Sequence, residues 1–335
     1  MELVSRPHAR NLVTWAQHRP EVVVLSADLT ASCEADAFRT AYPNRFFSMG
    51  MAEQNMLSMA GGLAREGFTP FIHTFSVFIC RRAFDQLTMS IAYPNLPVRL
   101  LGFLPGITTP GGVTHQAIDD IALMRVVPNM TILECGDATD VETILDLAQA
   151  IDGPVYLRML RGEVPRLFAP DEPIRLGTPR RLSDGDDLLV VSSGICTEEV
   201  LRATKALQSR GVGLRHVHVS THKPWNDTAL LDACKGIRHG VISVENHSVI
   251  GGLGSAIAET MAQAGLGLPL RRLGLQDCYA HGASRAYLMA KYGFDAQAVI
   301  TTAEQLLGRS LEIQGSELSA VRLQPMHSLD KAEAL

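Results

Sequence analysis

Strands alternating with helices along nearly the whole chain predict an α/β protein of two domains, each a mainly parallel sheet with helices on both faces. Three observations carry this expectation. Continuously apolar, β-branched runs such as Glu21-Val22-Val23-Val24-Leu25-Ser26 and Leu188-Leu189-Val190-Val191-Ser192 read as strands buried on both faces. Segments of helical period separate these runs. Between 162 and 180 the pattern lapses under Pro165, Pro170, Pro173, Gly177 and Pro179, which reads as a linker between domains. A chain of 335 residues is long enough for each half to bury its own core.

In order, the strand at 21–26 is followed by the short apolar strand Phe46-Phe47-Ser48, which breaks at Gly50 before a helix over 53–66. A second helix spans 76–92, with apolar strands near 98–101 and 131–133. A helix near 139–150 precedes the strand Val155-Tyr156-Leu157-Arg158. Beyond the linker come a strand at 188–192, a helix opening near Thr197-Glu198-Glu199, and strands within 212–219 and 240–245. Helices follow at 251–263 and 295–307. The glycine cluster from Gly251 to Gly254 reads as the entry to the first of these, since a lone cluster this late in the chain is weak support for a dinucleotide site. These elements define a first domain at 1–170, a linker at 171–180, a second domain at 181–316 and a mobile tail at 317–335.

Hydrophobic content of 46% with 19% charged residues describes a globular protein with generous apolar burial. A net charge of −5 argues against nucleic acid or an anionic membrane as the main partner. No apolar run approaches a membrane span, and the N-terminus lacks the features of a signal peptide, so cytoplasmic residence is expected. The six cysteines form no C-x-x-C pair, which fits reduced thiols and excludes a zinc knuckle.

The most informative residue is Glu53. A carboxylate at the start of a helix is favoured by the dipole. One crowded by Phe46, Phe47, Met49, Met51, Met56 and Leu57 is suited to share a proton with a ligand nitrogen. A solvated first-turn glutamate is the plain alternative. Phe75 and Phe78 lie three apart, so on a helix they share one face. Gly111-Gly112-Val113-Thr114-His115-Gln116 is a glycine-led loop that lets backbone approach a ligand and carries an imidazole able to serve a hydroxyl group.

Ala27-Asp28-Leu29-Thr30, Gly50-Met51-Ala52-Glu53-Gln54-Asn55 and Thr74-Phe75-Ser76-Val77-Phe78 occur together with Gly112-Val113-Thr114-His115-Gln116, Asp119-Asp120 and Val127-Pro128-Asn129-Met130. In this order they resemble the C-terminal half of a transketolase, from about Ser5 to Ala303. That is the pyrimidine-binding domain plus the C-terminal domain of a thiamin-diphosphate enzyme.

The resemblance implies that Glu53 bonds the cofactor's aminopyrimidine and promotes the tautomer that activates the thiazolium. It implies that Phe75 and Phe78 stack on the pyrimidine ring. Arg81 stands where the family usually has a further aromatic residue. His115 matches the histidine that contacts the donor's two-carbon unit. Arg6, Ser32 and Arg161 fall where transketolases hold a substrate's terminal phosphate, a task for which a guanidinium is well shaped. Arg158 is an alternative anchor. Phe103 stands in place of a phosphate-binding histidine and Gly111 in place of an aspartate that reads a sugar hydroxyl, which suggests a non-standard sugar.

The Gly-Asp-Gly motif and asparagine that hold the diphosphate through Mg²⁺ in this family do not occur here, so no metal ligands are expected on this chain. The resemblance then implies a separate N-terminal transketolase subunit supplying that site. The expected assembly is a dimer of this chain within a heterotetramer. The implied activity is transfer of a glycolaldehyde unit from a ketose phosphate donor to an aldose acceptor. Two alternatives stand beside it. One is the β subunit of a 2-oxo acid dehydrogenase, or half of a deoxyxylulose-phosphate synthase. The other is a non-catalytic interaction subunit.

Overall fold

The run Val22–Ser26 is buried at every position, as its uninterrupted apolar sequence requires, and it lies inside the larger of two main sheets. A computed structural model describes residues 1–332. In its first domain the strands are Leu3–Ser5 (β1), Val22–Ser26 (β2), Phe46–Ser48 (β3), Thr69–Phe75 (β4), Arg99–Phe103 (β5), Thr131–Glu134 (β6), Val155–Met159 (β7) and Glu163–Pro165 (β8). The second domain adds Arg180–Ser183 (β9), Leu188–Ser192 (β10), Leu214–His218 (β11), Thr221–Lys223 (β12), Gly240–Ser248 (β13) and Leu270–Leu275 (β14).

The seven-stranded sheet has the order β12-β6-β7-β5-β4-β2-β3, and the five-stranded sheet has the order β14-β13-β10-β11-β9. Both are flanked by helices and are mainly parallel, with antiparallel pairing at β12–β6 and β11–β9. β1 and β8 form a separate antiparallel pair that ties the start of the chain to the end of the first domain. The fold expectation of two α/β domains therefore holds, with one addition. The three-residue β12 belongs by sequence to the second half but closes the β6 edge of the first sheet. β12 is then itself the edge strand, and at three residues it presents only a short row of backbone groups to another chain.

Apolar packing is continuous across the domain boundary. Val164 and Ile174 share a buried cluster with Val200, Leu207 and Leu214 of the second domain. A fully buried charge network reinforces the junction. Arg158 on β7 donates from Nε to Asp120 Oδ2 at 2.8 Å, pairs with Glu134 on β6, and reaches the Asn246 carbonyl on β13 at 3.0 Å. His222 on β12 bonds Glu134 Oε2 at 2.8 Å from the other side. Arg158 is thus a strut between domains, not a substrate anchor, because all of its donors face inward.

The segment expected as a mobile tail at 317–335 is packed over most of its described part. A helix covers Gly315–Ala320, and Leu323 is buried with Leu167, Phe168, Leu182 and Leu201. The Ser328 amide donates to Glu172 at 2.8 Å. Single apolar residues spaced along an irregular strap carry no period, which is why the sequence pattern does not reveal this docking. Residues 333–335 lie outside the described residues. Among the described residues, no helix is long and apolar enough to cross a membrane.

Candidate active site

The site assembles at the carboxyl ends of the central strands, where open parallel sheets present ligand crevices. β3 pairs with β2, and the chain turns at Gly50, whose φ of +65° suits a residue without Cβ. The helix Glu53–Arg65 then begins on the carboxylate. Glu53 is 1% exposed, and its Oε2 accepts from Arg82 Nη1 at 2.9 Å. Among the described residues Oε1 has no hydrogen-bond donor. A buried carboxylate with one oxygen committed and one available is equipped to meet a ligand N–H.

Phe75 is the last residue of β4 and Phe78 opens a π-helical turn, Phe78–Arg82. They are therefore not on one helix face, as their spacing predicts, but meet across a strand–helix junction. The rings are stacked, with centroids 5.9 Å apart and planes 25° from parallel. His115 completes the cluster edge-on, 6.1 Å from the Phe75 ring and 5.6 Å from the Phe78 ring. Departures to π-helix of this kind recur at functional sites.

The loop carrying His115 is braced by the second domain. Gly112 has a φ of +74°, and a Cβ there would lie 3.3 Å from the Gly282 amide, so glycine is needed both for conformation and for contact. Gln116 Nε2 donates to the His281 carbonyl at 3.3 Å, and His115 Nδ1 meets Thr114 Oγ1 at 2.8 Å. Gly111 lies beside His115, where a Cβ would stand 3.3 Å from the imidazole's own Cβ. Arg81 does not join the aromatic wall. It grips Asp119 with three contacts of 2.9–3.1 Å and so ties the π-helical turn to the residue before the helix Asp120–Arg125.

Arg6, Ser32 and Arg161 come together as a second group. The Arg6 amide donates to the Gly162 carbonyl at 2.8 Å, and Arg161 Nη1 reaches the Ser32 carbonyl at 3.1 Å. Glu34 holds this rim by accepting from the Gly162 amide at 2.7 Å, and burial pushes its carboxyl above the ordinary range. The Arg6 side chain itself is paired with Asp36. Arg161 also lines an interdomain cavity of about 440 Å³, together with Met159, Ile195 and Arg285.

Phe103 is not on this rim. It is fully buried at the end of β5, 5.5 Å from the His8 ring and 6.0 Å from the His73 ring. The two histidines bond each other through Nε2 at 2.9 Å, and burial depresses both, His73 to about 4. Two neutral imidazoles sharing one proton form a polar floor behind the rim. Sequence reasoning missed Arg82 and His8, because each acts through a partner far away in sequence and carries no motif of its own, and it gave Asp119 no role although Asp119-Asp120 is among its motifs.

A thiamin diphosphate pyrimidine fits this geometry, since the pocket offers a buried carboxylate beside a stacked aromatic pair. Such an arrangement defines a class: a two-domain α/β protein with a buried carboxylate and a stacked aromatic pair at the carboxyl ends of the central strands of its first sheet. Residues 8–166 match the transketolase pyrimidine binding domain, and residues 177–299 match the transketolase C-terminal domain. The chain is 38% identical over 303 residues to a transketolase family protein of Sinorhizobium fredii, covering 90% of this chain and 88% of that one. It is 37% identical to the 6-deoxy-6-sulfo-D-fructose transketolase subunit SqwH of a Clostridium species, covering 89% and 92%. Among solved structures, a split gene transketolase in an inactive β4 tetramer superposes with a TM-score of 0.83 at 38% identity, covering 90% and 97%. The chain belongs to the transketolase family, and it corresponds to the family's C-terminal half.

Proposed function

We propose that this chain is the C-terminal subunit of a two-component transketolase, dependent on thiamin diphosphate, that moves a two-carbon unit from a ketose donor to an aldose acceptor. The observation that carries this reading is the buried Glu53 carboxylate standing beside the stacked Phe75 and Phe78 rings with His115 at their edge. The family's cofactor, when bound, supplies the nucleophilic carbon that cleaves and re-forms the bond beside a carbonyl.

This chain's residues place and protonate. Glu53 holds a proton against a ring nitrogen, and burial keeps water from competing for it. Phe75 and Phe78 fix the ring plane. His115 offers an imidazole nitrogen to a hydroxyl of the two-carbon unit, with Gln116 and Gly112 holding its loop on the second domain. Arg161, braced by its bond to the Ser32 carbonyl, offers a cation at the rim for a terminal anion.

A partner chain is proposed to supply the diphosphate and Mg²⁺ contacts, with this chain forming the dimeric core of a cytoplasmic heterotetramer. The similarity to a transketolase subunit and to a split gene transketolase supports that division. Phosphate and sulfonate are both suitable terminal groups. A relative acting on 6-deoxy-6-sulfo-D-fructose, and the absence of a side chain at Gly111 beside His115, favour a sulfonated or branched sugar over common pentose phosphates. Kinetics on the reconstituted pair, screening ketose donors against aldose acceptors, test this. If xylulose 5-phosphate and ribose 5-phosphate outperform every sulfonated and branched candidate, the substrate reading is wrong. If no donor is cleaved, the transketolase reading is wrong.

A further inference from the structure

Among the described residues Arg82 makes the one charged contact to Glu53, and it also covers part of the aromatic wall. Its Nη1 donates to Glu53 Oε2 at 2.9 Å, while its guanidinium carbon lies 4.2 Å from the centre of the Phe78 ring. The two partners differ in freedom. The Glu53 side chain is 1% exposed and the Arg82 side chain 42%. Arg82 also ends the π-helical turn, and Ala83 after it leaves helical geometry with φ −121°. The carboxylate is sealed in the core, and the cation is partly open to solvent.

A guanidinium is planar, donates N–H to carboxylates and lies flat on aromatic faces. An aminopyrimidine entering this pocket makes the same two demands, a hydrogen bond to Glu53 and an aromatic face to stack on. Glu53 Oε1 stays open to the ring, but the Phe78 face under the guanidinium cannot hold both planar groups. A cation fixed here would also oppose a proton shared between the carboxylate and a ring nitrogen. We propose that Arg82 is a placeholder for the aminopyrimidine. In the free subunit it satisfies Glu53 and covers Phe78, and the cofactor ring displaces it toward solvent. This inference rests on the cofactor reading above and assigns Arg82 a positioning role.

The test is thiamin diphosphate affinity of the chain reconstituted with its partner and Mg²⁺, measured by calorimetry. Arg82→Met should bind about tenfold tighter than wild type, because no placeholder must be displaced. Arg82→Lys, which keeps the cation, should stay near wild type. Affinity lowered tenfold by Arg82→Met overturns the proposal, since it would mean that Arg82 supports the bound ring. A reconstituted pair that binds no thiamin diphosphate in any form overturns the cofactor reading and this proposal with it. Thermal unfolding of the isolated chain supplies a second measurement that does not need the partner. Arg82→Met should lower the melting temperature in the wild-type background and leave it almost unchanged in the Glu53→Gln background. Equal effects in both backgrounds would show that the pair is not coupled and would also overturn the placeholder.

Discussion

Replacing Arg158 by methionine keeps most of the side chain's bulk and removes the cation that Asp120 and Glu134 share. All three groups are essentially sealed from solvent. Burial alone would raise the Glu134 carboxyl, yet Arg158 and His222 hold it at about 2, against 4.5 for the free side chain. A displacement of that size is worth about 3 kcal/mol at neutral pH. Asp120 is left with Tyr156 and the Asn246 carbonyl loses its donor, so the total loss should be about 3–5 kcal/mol. The sign with pH follows from a depressed value. Glu134's contribution is present above about 4.5 and is lost as pH falls through about 2. The gap between wild type and Arg158→Met should be widest at pH 7 and should narrow on acidification below the ordinary carboxylate range. Urea unfolding of the purified chain, followed by fluorescence and far-ultraviolet dichroism, measures it. Because Arg158 joins β7 to the Asn246 carbonyl on β13, the variant should also separate the unfolding of the two domains. A loss below about 1 kcal/mol at pH 7, with coincident transitions, would refute the strut.

Glu53→Gln should leave the fold intact and lower turnover of the reconstituted pair by about 100-fold or more, because an amide cannot hold the shared proton; activity within a few-fold of wild type would reduce Glu53 to a helix-start residue. His115→Ala should weaken donor turnover while leaving thiamin diphosphate affinity nearly unchanged, checked by kinetics and calorimetry on the same preparation. Burial pushes Glu245 up to about 7, against the amides of Gly254 and Leu253 that pull it down. A raised carboxyl favours folding below about 4.5 and that benefit is lost as pH rises through about 7. Glu245→Gln should therefore gain on wild type by about 2–3 kcal/mol between pH 5 and pH 8 in urea unfolding; parallel pH profiles would contradict this.

The strong periodic elements were legible in the sequence because they depend on neighbours alone. β2, β10, the helix from Glu53 and the helix Ala138–Ala150 each declare themselves through composition and period. Glu53, Phe75, Phe78 and His115 were legible as local motifs, and the structure brings them together. What stayed hidden depends on distant partners. β1, β8 and β12 are three residues each, too short for a period, and exist only because another strand accepts them. Arg158 reads as an alternative substrate anchor until Asp120, Glu134 and the Asn246 carbonyl are placed around it. Arg81 and Arg82 are adjacent in sequence yet turn to Asp119 and Glu53 respectively, a divergence that follows from the π-helical turn. Phe103 reads as a rim residue by alignment, but its pairing opposite Phe75 and Met159 buries it.

The central claim is that Glu53 activates a thiamin diphosphate shared with a partner chain. The most direct measurement is the rate at which the cofactor's thiazolium C2 proton exchanges with deuterium, followed by quenched-flow magnetic resonance. The reconstituted pair should accelerate that exchange well above the free cofactor, while either chain alone and the pair carrying Glu53→Gln should not. Exchange by the Glu53→Gln pair at the wild-type rate, or full acceleration by this chain without its partner, would contradict the account.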